Sequence, residues 1–107
     1  MLLLTGTAFA DVPVWHGSAK LEGLEVGRDM IQLRLPAATS THLCPNTNYN
    51  KWFVIDRNDP KSKDMLPLLL KAMEPGWKID VRSNAPTCFN GYIKVEILQL
   101  FRDSTSS

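Results

Sequence analysis

Apolar and polar residues alternate at period two along four stretches of the chain, and the alternation predicts half-buried strands. In Val14-Trp15-His16-Gly17-Ser18-Ala19-Lys20-Leu21, the pattern places Trp15, Ala19 and Leu21 on one face, and Gly17 between them marks a bend or a close backbone approach. Ile31, Leu33 and Leu35 alternate with Gln32 and Arg34 in a second strand. Trp77, Ile79 and Val81 form the inner face of another, and Ile93, Val95 and Ile97 that of a last one. In the last strand the phase shifts to Leu98 and Leu100, which predicts a bulge or burial of both faces. Trp52-Phe53-Val54-Ile55-Asp56 is instead a continuous apolar run, the pattern of a central strand covered on both sides.

Between these strands the period changes once. Met65, Leu66, Leu69, Leu70, Ala72 and Met73 fall at helical spacing, with Asn58 or Asp59 as the cap, Pro60 at the first helical position and Glu74-Pro75-Gly76 as the stop. Pro67 lacks the amide hydrogen that a helix interior needs, so the firm helix is expected from about Met65, after a loose first turn. Leu24 to Arg28 is expected to turn. Pro36 to Lys51, rich in Thr, Ser, Asn and Pro, is expected to be a long loop, and so is Ser83 to Gly91. The predicted order is β-β-β-α-β-β: mainly β with one helix, an OB-fold-like five-stranded barrel.

The chain has 107 residues and 44% hydrophobic content, enough for one core, and a single domain is expected over residues 11–103. Its net charge of +1 is scattered rather than gathered into a basic stripe, which argues against a nucleic-acid partner. Residues 1–10, MLLLTGTAFA, are apolar and end in Ala8-Phe9-Ala10, a small-x-small site of the kind signal peptidase cuts. They are expected to be part of a secretory signal, which places the mature protein in the periplasm or outside the cell. Residues 104–107 are expected to be a disordered tail. No apolar run approaches the roughly 20 residues that span a bilayer as a helix, so no membrane insertion is expected.

Cys44 and Cys88 are the two cysteines. In an exported chain such a pair predicts a disulfide, whereas in a reducing cytosol it would be two thiols or part of a metal site. His42-Leu43-Cys44 supplies too few ligands for zinc on its own, so the disulfide is preferred and neither a metal nor a cofactor is expected.

Several short pieces of the chain are similar to the binding subunits of bacterial A–B toxins, particularly the subtilase-cytotoxin type. They are Trp15-His16-Gly17-Ser18-Ala19-Lys20, Trp52-Phe53-Val54-Ile55-Asp56, Leu68-Leu69-Leu70-Lys71-Ala72, the strand from Trp77 to Val81 and Cys88-Phe89-Asn90-Gly91-Tyr92. The same pattern resembles small exported bacterial proteins of unassigned function. The first resemblance implies a secreted OB-fold that assembles as a homopentamer, binds a cell-surface glycan and accompanies a secreted enzymatic subunit. The alternative expectation is a solitary periplasmic or secreted structural or stress-related protein that binds a protein partner. After the first strand, Leu21-Glu22-Gly23-Leu24-Glu25 offers no residue-by-residue counterpart of the family's sugar-contacting acids and hydroxyls.

The inventory for catalysis is thin, and no enzyme is predicted. His16 and His42 are the only histidines. Asp56, Asp59 and Asp64 cluster where a helix N-terminus would use them as caps and dipole partners. Trp15, Trp52 and Trp77 lie on or beside apolar faces, so they are expected in the core. Tyr49, flanked by Asn48 and Asn50 in a polar stretch, is the preferred ligand contact, because an aromatic ring between amides can engage sugar hydroxyls.

Overall fold

A computed structural model describes residues 12–85 and 87–102. The expected signal segment and C-terminal tail lie outside these residues. Over the described residues the chain is mainly β, with two helices and two sheets that do not close into a barrel. In the first sheet, β6 (Lys78–Ala85) is flanked on one side by β1 (Val12–Trp15) and β2 (Ala19–Lys20), and on the other by β9 (Ile97–Phe101). The second sheet runs β3 (Gly23–Val26), β4 (Met30–Arg34), β5 (Trp52–Asp56), β8 (Tyr92–Lys94), β7 (Cys88–Phe89). All its pairs are antiparallel except β5 with β8.

Two of the expected strands are interrupted, the first within one sheet and the last between the two sheets. The first breaks at Gly17, whose φ of +89° is open to glycine at little cost. The break shifts the side-chain phase, so Trp15 does not join Ala19 and Leu21 in the core as the alternation predicted. Trp15 is 40% exposed and its neighbour His16 is fully buried. The last expected strand breaks at Val95-Glu96, where the amide of Val95 donates to Val54 O at 2.8 Å and that of Glu96 to Arg82 O at 2.7 Å. The chain thus leaves one sheet and enters the other within two residues. Ile93 and Val95 are buried before the switch, and Leu98 and Leu100 pack against the core after it. This places the phase shift two residues before the change expected between Ile97 and Leu98.

The alternation in β4 and the continuous run in β5 correspond to what is observed. Ile31, Leu33 and Leu35 are buried, and so are Phe53, Val54 and Ile55 in the middle of the second sheet. The segment expected to turn from Leu24 is instead β3. Gly23 fits there because a Cβ would lie 2.9 Å from the Trp52 ring, and the turn itself closes later, with Gly27 N donating to Met30 O at 2.8 Å. Trp52 and Trp77 are half-buried, and the Arg102 guanidinium lies 5.8 Å from the centre of the Trp77 ring.

The helical stripe becomes α2 (Ser62–Met73), with Met65, Leu69 and Ala72 buried. It begins three residues before the expected start, so Pro67 sits inside it rather than in its first turn. Asp59 does not occupy the N-cap, which falls to Lys61. It builds the turn before the helix instead, accepting Lys61 N on Oδ1 at 3.0 Å and Ser62 N on its carbonyl at 2.9 Å. The second helix, α1 (Pro45–Asn50), corrects the expectation of a single helix, since it lies within the stretch from Pro36 to Lys51 expected to be loop. A proline followed by Asn, Thr, Asn, Tyr and Asn carries no apolar stripe, so periodicity could not register it.

Candidate functional site

Cys44 and Cys88 are joined by a disulfide across a sequence separation of 44 residues. Cys44 is the N-cap of α1 and Pro45 occupies its first turn, a position where the missing amide hydrogen costs nothing. The bond therefore fixes the start of α1 to β7. Around it, Asn46 N donates to Gly91 O at 2.9 Å, and Asn46 Nδ2 donates to Asn90 O at 2.9 Å. Gly91 has φ +82°, and a Cβ there would come within 2.5 Å of Asn46 Nδ2, so the turn between β7 and β8 can meet the helix only through a glycine. Thr47, buried beneath the helix, accepts Ile93 N at 2.7 Å and donates to Trp52 O at 2.7 Å. One hydroxyl thus ties α1 to both β5 and β8.

This base carries Tyr49, which is 89% exposed. The structure places Asn48 and Asn50 beside it in the same helix and gives each a further role. Asn48 Oδ1 accepts the Thr41 hydroxyl at 3.3 Å, and Asn50 Oδ1 accepts Trp52 N at 3.1 Å. Their amide NH2 groups meet no acceptor among the described residues and are left as donors. Lys51 ends the helix at φ +65° and reaches the Thr41 hydroxyl with Nζ at 3.0 Å. The platform therefore presents an aromatic face, amide donors and an ammonium group on a rigid support.

A second polar group lies in the core. His16 Nδ1 faces Ser40 O at 3.1 Å and Thr39 O at 3.4 Å, so that nitrogen carries the proton. Nε2 accordingly accepts the Ser83 hydroxyl at 2.8 Å. The ring edge meets Phe53 with centroids 5.4 Å apart. Burial pushes the His16 pKa below its ordinary value, while the Thr39 and Ser40 carbonyls and the Asp80 carboxylate act in the opposite direction. A Ser–His–Asp relay needs the carboxylate on the imidazole nitrogen opposite the serine, and here Asp80 Oδ1 accepts the main-chain N–H of His16 at 3.2 Å. His16 and Ser83 are also sealed from solvent at 0% and 1% exposure. The pair is a clamp that holds the segment after β4 against the first sheet. Ser83 is 67 residues from His16, and no spacing in the sequence linked them.

The remaining candidates stand apart. His42 is exposed. Asp56 accepts Asn58 N on Oδ1 at 2.9 Å, as a turn residue does. Among the described residues, no three His, Cys, Asp or Glu side chains are grouped to hold a metal ion, and no helix is long and apolar enough to cross a membrane. No protein family, curated protein or solved structure matches the chain.

Proposed function

We propose that this chain is a non-enzymatic binding domain of the extracytoplasmic space, which takes a cell-surface glycan on the α1 platform. The observation that carries this reading is Tyr49, almost wholly exposed on a helix fixed at its base by a disulfide and by Thr47. An exposed aromatic ring is retained at a cost in water, and a rigid one offers a ligand contact area with little loss of conformational entropy on binding. The resemblance to toxin binding subunits agrees with the order of the chain through the two sheets. The segment at Leu21-Glu22 and the segment around Val95 each pass from one sheet to the other, as strands one and five of an OB-fold do. On that reading the chain assembles as a homopentamer and carries a secreted enzymatic subunit.

The test is a glycan array on the oxidised, processed protein, beside Tyr49→Ala. Retained signal for wild type and at least a tenfold loss for the variant are expected, with light scattering giving a pentamer mass. A monomer with no glycan signal would remove the proposal. A second reading, a solitary exported protein that binds a protein partner, draws on a different surface, the apolar cleft beside α2.

A further inference from the structure

An open cleft of about 210 Å³ lies between α2 and the start of β9. Met65 forms its buried floor, while Leu68, Ile97 and Leu98 line its walls. Leu68 is 38% exposed although it sits on the helix that supplies the core with Met65 and Leu69. An apolar cavity of about 150 Å³ accepts a benzene ring, so this cleft has room for one large apolar side chain.

Two features define the rest of an occupant. The first is backbone. Among the described residues, β9 is hydrogen-bonded along one side only, to β6. An unpaired strand edge is a template for another extended chain. At the start of this edge, the carbonyl of Glu96 is covered by Lys61, whose Nζ lies 3.1 Å from it. That ammonium is half-exposed and also pairs with Glu96 Oε1 at 3.5 Å and Asp59 Oδ2 at 3.8 Å, so it can give up the carbonyl to an incoming N–H without losing its charge partners.

The second feature is charge. At the cleft, Lys61 and Lys94 neutralise Asp59 and Glu96. Asp64, in the first turn of α2, lines the cleft and has no cationic partner among the described residues. The uncompensated charge at the rim is therefore negative. We infer that the cleft is a docking site for an extended segment of a partner protein. That segment adds to the free side of β9, inserts one large apolar side chain beside Leu68 and sets a Lys or Arg against Asp64. This surface lies apart from Tyr49, and the inference does not depend on glycan binding.

The experiment selects linear peptides from a displayed random library on the oxidised full chain and measures the enriched sequences by fluorescence anisotropy. Enriched peptides should pair a large apolar residue with a neighbouring Lys or Arg. Leu68→Arg, which fills the cleft from an exposed position, should weaken them at least tenfold. Asp64→Asn should weaken them severalfold, and only when the peptide carries the basic residue. Circular dichroism melts of both variants should match wild type, so that a loss of binding is not a loss of fold. Absence of any enriched peptide, or peptides indifferent to Leu68→Arg, would overturn the inference. So would a concentration-dependent dimer that Leu68→Arg abolishes, because the occupant would then be a second copy. Failure of the glycan array would leave these outcomes unaffected.

Discussion

Replacing Cys44 and Cys88 together by alanine should lower the unfolding free energy by about 4 kcal/mol. The disulfide spans a sequence separation of 44 residues, and closing a loop of that length restricts the unfolded chain by about that amount in the chain-entropy account. A domain of this size has a total stability of roughly 5–15 kcal/mol, so the loss is a large fraction of it. Urea titrations read the effect directly. The midpoint should fall, and the slope should rise because the unlinked chain exposes more surface when it unfolds. Alkylation of the wild-type protein should modify two thiols only after reduction. A stability change below about 1 kcal/mol would mean that the unfolded ensemble is already compact across this loop.

His16 should be the most costly polar position to truncate. His16→Ala removes a fully buried ring that touches Phe53 and leaves the Ser83 hydroxyl and the Ser40 carbonyl without their partner, at a combined cost of about 3 kcal/mol. The same residue gives the protein an acid-sensitive term. Its folded pKa lies below the ordinary value of 6.5, so the unfolded chain binds the proton more readily than the folded one. The stability held by neutral His16 is complete above about pH 6.5 and is lost as the pH falls through the folded value. Between those values stability falls with pH by at most about 1.4 kcal/mol per pH unit. Chemical denaturation at a series of pH values should show this fall in wild type and not in His16→Ala, so that the difference curve carries it. Equal acid slopes in both proteins would locate the sensitivity elsewhere.

Much of this architecture was visible in short-range pattern. The alternation in β4, the unbroken run in β5 and the helical stripe of α2 each correspond to observed elements, because a strand or helix face must be apolar wherever it meets the core. The disulfide was legible from the number of cysteines, on the expectation of an exported chain. The misplacements have equally specific causes. A period-two pattern extended through Gly17 put Trp15 inside and overlooked His16, because a left-handed glycine resets the phase. β3 has the sequence of a turn because it holds glycine at Gly23, where the reason is the Trp52 ring packed over it. α1 is stabilised by a disulfide and by Thr47, neither of which leaves a periodic trace. Tyr49 stands out in the sequence through the polar composition around it. The rigidity beneath it, and the cleft formed by α2 with β9, depend on contacts between distant parts of the chain.

The passage of the chain between sheets at Val95-Glu96 has a consequence for how the molecule opens. Adjacent amides are locked into different ladders, one to Val54 and the next to Arg82. Peeling either ladder away from this point drags the neighbouring peptide plane with it, so neither sheet has a private route to solvent. The two layers form one cooperative unit, and hydrogen exchange at Val95 and Glu96 should proceed at a common rate set by global unfolding.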